Sequence, residues 1–257
     1  MIARFFRGMG YFGRGWRVAF GSRALVPWVL LPALFTVVVS GGGAWLAYRW
    51  AAELVARQSA GHGAAWGAIV WLGVVLLVLG AAYVLYVTSC LVATAPFAGF
   101  LSEGAEHIVV GEVVRPRGWR AAAALSARGV GHALLGVVCY IGIAIPLFLA
   151  HWLAPPLAPL VWVASIVQAA LFFAFDGFNE PLHRRGVGFG GKWRFIGAHL
   201  SEALGFGVAV ALLMMVPLVS VVVTPVAIVG GTLLFVDLER AAQRSPIASG
   251  PSSSSST

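Results

Sequence analysis

Charged positions come in clusters separated by four long apolar stretches: residues 24–48, 58–102, 129–175 and 203–236 contain no Asp, Glu, Lys or Arg. These stretches are 25, 45, 47 and 34 residues long. A helix rises ~1.5 Å per residue and needs roughly 20 apolar residues to cross a hydrocarbon core of ~30 Å. Each stretch can therefore enter or cross a bilayer, and the pattern predicts an all-α, polytopic integral membrane protein. The first two stretches read as an ordinary helix pair over 24–53 and 64–97, joined by a short loop. The last is far too long for one span, yet shorter than the about 40 residues that two full spans require. It fits a hairpin of short helices with the breakers Pro217 and Pro225 at its tip. The third stretch repeats this arrangement, with Pro146 on one side, Pro155, Pro156 and Pro159 on the other, and arms over 129–145 and 160–175. The expectation is two long transmembrane helices plus two Pro-tipped hairpins that penetrate only part of the bilayer. Paired, Pro-interrupted segments point to transporters and channels, because irregular backbone at membrane depth survives only against protein or a wet cavity. Two ordinary spanning hairpins with outer Pro turns are the open alternative.

Composition agrees with the membrane class: 60% of residues are hydrophobic, 10% are charged, and the mean hydropathy is +0.91. The formal charge of +8 does not indicate nucleic-acid binding, because the basic residues flank apolar runs. They set orientation instead. Fifteen of the 17 Lys and Arg residues fall in the N-terminal segment, in 95–128, in 176–202 or at the C-terminal end. Only Arg49 and Arg57 follow the first span, so that loop is expected outside and both termini inside, in an inner membrane. Residues 1–23 are expected to be an amphipathic interfacial helix rather than a cleaved signal, since Arg4, Arg7, Arg14, Arg17 and Arg23 alternate with Phe5, Phe6, Met9, Phe12, Trp16 and Phe20. The helical membrane domain is expected over 24–240. Residues 241–257, with Pro246, Gly250, Pro251 and a serine run, read as a disordered tail.

Candidate chemistry is sparse. The stretch from Gly186 to Lys192 meets most of a phosphate-loop pattern, but Trp193 stands where Ser or Thr would hold magnesium and no strand precedes it, so a flexible cytoplasmic turn is expected. Cys90 and Cys139 are solitary, as are His132 and His151, and no catalytic or metal-binding constellation is present in the sequence. No enzyme activity, cofactor or metal is expected. None of the nine Asp and Glu residues lies in an uncharged stretch, which argues against a carboxylate proton relay at depth. Thr88, Ser89, Thr94, Ser165, Gln168, Ser220 and Thr224 remain as neutral groups able to line a path for an anion.

Four segments carry a resemblance. Gly21-Ser22-Arg23 leads to Leu30-Leu31-Pro32, and Pro96, Phe97, Gly99, Leu101, Glu103 and Glu106 follow the second predicted helix. Further on come Asn179, Glu180, Pro181, Leu182 and His183, then Phe206-Gly207, Pro217, Pro225, Gly231-Thr232 and Asp237. Together these resemble the CysZ family, within the wider superfamily of etoposide-induced 2.4 proteins, with Ala98 at a family Asn position and Asn179 and His183 at the positions of two acids. The resemblance implies permeation of sulfate towards the cytoplasm and assembly as a homo-oligomer. It also implies an anion-binding turn at Gly21, Ser22 and Arg23, and structural or gating roles for Pro96, Phe97, Glu103, Glu106, Pro217 and Pro225. Chemistry independent of the family supports the turn: a guanidinium offers a bidentate fork to oxyanions, and the N–H groups opening a helix add positive potential. The competing reading of Arg23 is a positive-inside anchor. For the whole chain, the competing reading is a structural or partner-binding membrane protein that transports nothing.

Overall fold

The computed structural model describes residues 1–59, 64–111 and 119–244. Arg115, Arg117 and residues 245–257 lie outside the described residues, while 241–244, at the start of the tail expected to be disordered, continue the last helix. The described chain is helical throughout and contains no strand: α1 (Ile2–Gly21), α2 (Val26–Ser59), α3 (Ala64–Val110), α4 (Trp119–Leu153), a 3-10 turn (Pro155–Leu157), α5 (Ala158–Arg184), α6 (Phe189–Ala198), α7 (Leu200–Met214) and α8 (Pro217–Arg244). Five helices are long and apolar enough to cross a membrane, or six if the α6–α7 pair counts as one span. The protein is an all-α, multi-pass membrane protein.

Burial separates a central helix from peripheral ones. In α8, 83% of the apolar window is buried inside the protein, against none of it in the still more apolar Trp66–Tyr86 of α3. An apolar surface that no protein covers is matched to lipid tails, whereas α8 must be matched to its neighbours α1, α3, α5 and α7. Small residues make that packing possible. A Cβ placed on Gly15 would lie 2.6 Å from the Gly230 Cα, and one placed on Gly207 would lie 1.8 Å from the Ala170 carbonyl oxygen of α5. Gly207→Ala therefore has to push α5 and α7 apart, and is expected to cost about 1–3 kcal/mol. Gly10→Ala, with nothing within 4 Å of the new methyl, is the control and should be neutral or better. Thermal unfolding in detergent checks both, and an unchanged midpoint for Gly207→Ala would contradict this packing.

α1 follows the amphipathic pattern, since its buried residues Gly8, Tyr11, Phe12, Gly15 and Ala19 recur at helical spacing on one face. That face packs against α7 and α8 rather than lying free. Asp237 of α8 secures it, accepting hydrogen bonds from the Tyr11 hydroxyl at 2.6 Å and Arg14 Nη1 at 2.7 Å.

The Pro-flanked units depart from expectation in detail. The arms of the third unit are not short: α4 continues through Pro146 for 35 residues and α5 has 27. A proline deletes one ladder hydrogen bond but does not oblige a helix to stop where neighbouring helices hold it. The turn itself falls where expected, around the 3-10 element at Pro155–Leu157. In the last unit the first arm is short, 15 residues in α7, and is bent 100° from α6. Its tip comes earlier than expected, at residues 215–216, because Pro217 opens α8 and Pro225 sits buried within it. Proline at a helix start gives up an N–H that would have no helical partner there.

Candidate functional site

The Gly21-Ser22-Arg23 segment is the turn between α1 and α2. Ser22 is extended at φ −101° and ψ 115°, and its carbonyl accepts the N–H of Leu25 at 3.0 Å and of Val26 at 3.1 Å. The N–H groups of Arg23 and Ala24 thus occupy the opening positions of a helical turn, where no carbonyl of the same helix can reach them. Gly21 and Arg23 are exposed and Ser22 is half-buried. Just beyond the turn, the chain docks on α3. Leu25 covers Gly104, so closely that a Cβ there would meet its Cδ2 at 2.5 Å, and Trp28 stacks on Phe100 at 5.0 Å and leans on Phe97 at 5.8 Å.

That same length of α3 carries a buried carboxylate shared by two arginines. Glu106 is almost wholly buried. Its Oε2 accepts from Arg184 Nη2 at 2.6 Å and its Oε1 from Arg185 Nη2 at 2.7 Å. Arg185 also reaches Glu239 of α8 through Nε at 2.9 Å, and its guanidinium lies 4.5 Å from the Phe235 ring centroid. Ser102 shares a hydrogen bond of 2.8 Å with Thr232 and accepts a second from Arg184 at 2.9 Å. One cluster thus ties α3, α5 and α8 together at one end of the bundle.

Local sequence explains how the two arginines arrive there. Gly186 takes φ +72°, its N–H bonds the His183 carbonyl at 2.9 Å, and the Val187 N–H bonds the Leu182 carbonyl at 3.0 Å. This left-handed glycine ends α5 and fixes Arg184 and Arg185 in the last turn, where cations also complement the helix dipole.

Burial works to raise the Glu106 carboxyl, but the hydrogen bonds and charges of Arg184 and Arg185 win and hold it below its ordinary 4.5. A depressed carboxylate contributes stability that is complete above the ordinary value and is lost as pH falls through the depressed one. Unfolding of the purified protein should therefore show this group's full contribution, with no pH dependence from it, between neutral pH and 4.5, and a progressive loss below. Glu106→Gln should remove that acid-side loss, and an unaltered profile would contradict the assignment.

The phosphate-loop-like stretch is not a flexible turn. From Phe189 it is helical, and Lys192 is fully buried, donating to Asn179 Oδ1 at 2.5 Å. Trp193 stacks on Phe175 at 5.1 Å and Phe189 packs on the same ring at 5.4 Å, which anchors the segment against α5. A lysine committed in this way cannot reach out to a phosphate.

Of the residues singled out from sequence, Phe97, Glu103 and Glu106 lie on the α3 stretch beside the α1–α2 turn. Pro217 and Pro225 do not join them: they precede Glu239 by 22 and 14 residues along α8, roughly 33 and 21 Å of helix. The side chains of Pro96, Pro217, Cys90, Thr94 and His132 lie outside the described residues. Sequence reasoning missed Arg184 and Arg185 as partners of Glu106, and counted them only as positive flanking charge. The one local signal was a basic pair directly before a helix-ending glycine.

A family model described as Sulfate transporter CysZ/Etoposide-induced protein 2.4 matches residues 11–225. The chain belongs to this family. Among similar CysZ-family proteins, the sulfate transporter CysZ of Pectobacterium atrosepticum is 28% identical over 242 residues, covering 91% of this chain and 86% of its own. The sulfate transporter CysZ of Vibrio cholerae is 26% identical over 253 residues, covering 93% and 96%. That of Pseudomonas aeruginosa is 27% identical over 169 residues, covering 65% and 68%. The match to the family takes in both the α1–α2 turn and the Glu106 stretch of α3.

Proposed function

We propose that this protein is a membrane permease or channel for a small inorganic oxyanion, sulfate first among them. The observation that carries the reading is family membership across 11–225, with relatives named sulfate transporters over nearly their whole length. Gly21, Ser22 and Arg23 are the proposed anion contact: an exposed guanidinium beside the open N–H groups of a helix start. Phe97 with its neighbour Pro96, Glu103 and Glu106, together with Pro217 and Pro225, are the proposed structural or gating positions. No catalytic group or cofactor enters the reading, nor does a proton-coupling carboxylate at membrane depth. The proposed setting is the inner membrane, as a homo-oligomer with both termini cytoplasmic. There α1 would rest at the interface on its outer face, which bears Arg4 at 72% side-chain exposure and exposed Phe6 and Trp16.

Growth tests the reading. Bacterial cells stripped of their own sulfate uptake systems should grow on sulfate as sole sulfur source when they make this protein, and should grow on cysteine with or without it. Failure on sulfate despite normal insertion in the membrane would favour a structural or partner-binding role.

A further inference from the structure

The two arginines at the end of α5 are unequally satisfied. Every guanidinium nitrogen of Arg185 donates: Nε and Nη2 to Glu239, Nη2 also to Glu106, and Nη1 to the Pro181 carbonyl. Arg184 is the more deeply buried of the two, at 4% side-chain exposure against 20%. It uses Nη2 alone, towards Glu106 and Ser102. Its Nε and Nη1 are sealed from solvent and meet no acceptor among the described residues. Glu106 does not balance it fully either, since the second carboxylate oxygen belongs to Arg185.

A buried guanidinium with unused donors is costly, and a native fold that keeps one has a use for it. The group that matches these donors carries negative charge and several acceptor oxygens, and is small enough for the interior. A tetrahedral inorganic oxyanion meets all three conditions. A lipid phosphate does not, because a side chain this buried cannot receive a headgroup tied to its acyl chains. The position also adjoins the α1–α2 turn. Leu25 follows Arg23 by two residues and covers Gly104, which precedes Glu106 by two.

We propose that Arg184, through Nε and Nη1, forms an inner oxyanion contact between α3, α5 and α8, distinct from the exposed turn at Gly21–Arg23. The assignment rests on the oxyanion-permease reading and adds a second site to it. Arg185 and Ser102 are positioning residues: Arg185 holds Glu106, Ser102 accepts from Nη2 of Arg184, and the other two nitrogens of Arg184 are left available.

The test uses the purified full chain in dodecyl maltoside without added phospholipid, so that no lipid phosphate can substitute. Thermal unfolding is followed in sodium sulfate and in sodium chloride of equal ionic strength. Arg23→Ala, which removes the outer contact, should still be protected specifically by sulfate. Adding Arg184→Lys keeps a charge for Glu106 but removes Nε and Nη1, and should shift the protection curve to at least about tenfold higher sulfate. Arg185→Lys on the same background should lower the midpoint in chloride yet keep the sulfate response, a split that a merely structural role for Arg184 would not produce. Equal protection with and without Arg184→Lys would overturn the proposal, and so would absence of protection in Arg23→Ala. Sulfate entry into liposomes, measured separately on the wild type, tells the two failures apart: entry without protection removes only the inner contact, while no entry removes the permease reading itself.

Discussion

Glu106→Gln is expected to destabilise the folded protein by about 3–5 kcal/mol, the largest loss foreseen for any single substitution. Gln fills nearly the same space, so the effect is electrostatic. The wild-type carboxylate serves two guanidiniums, one through each oxygen, at 2.6 and 2.7 Å. Removing its charge leaves Arg184 buried against a neutral amide, with no other acidic partner among the described residues. Arg185 suffers less, because it keeps Glu239 at 2.8 Å. Glu239→Gln is therefore the informative comparison. Its side chain is 34% exposed, so solvent screens the pair and the expected loss falls to about 1 kcal/mol or below. Unfolding midpoints of the two variants, measured together in detergent at neutral pH, should differ clearly in that order. Equal midpoints would mean that the cluster does not hold α3, α5 and α8 together.

Sulfate affinity should fall by about one decade in Arg23→Ala. A charge-assisted hydrogen bond contributes about 1.5–3 kcal/mol, which spans one to two decades. Arg23 is exposed, so water competes for both partners and the lower figure applies. Arg23→Lys separates contact from orientation. If the residue only anchors the N-terminal segment on the positive side, Lys should match Arg and Ala should leave affinity unchanged, because Arg4, Arg7, Arg14 and Arg17 remain. If the planar fork grips the anion, Lys should restore part of the loss and no more. Equilibrium binding of labelled sulfate to the three purified proteins distinguishes these outcomes.

Sequence patterning exposed the membrane architecture because lipid imposes it one residue at a time: an uncharged run of sufficient length is itself the signal. The amphipathic face of α1 was visible for the same reason, through its Arg and aromatic spacing. Its docking against α8 was not, since the decisive contact pairs Gly15 with Gly230, far apart in the chain. Prolines misled in both directions. Pro146 and Pro225 read as breakers yet sit inside long helices, while Pro217 read as part of a tip and instead begins α8. Neighbouring helices decide whether a lost hydrogen bond ends a helix, and local sequence does not report them.

The same holds for charge. Glu106 was marked through its motif, and Arg184 and Arg185 through their sign, but pairing across nearly eighty positions leaves no local trace. Lys192 shows the reverse case, a locally suggestive pattern undone by burial under Asn179 and Phe175.

Entry of labelled sulfate into liposomes containing the purified protein tests the central claim most directly. An oxyanion permease without a proton-coupling carboxylate should give saturable entry well above protein-free liposomes, unchanged by a protonophore and reduced by Arg23→Ala at low sulfate. Entry at the rate of protein-free liposomes, from protein shown to be folded and inserted, would contradict it.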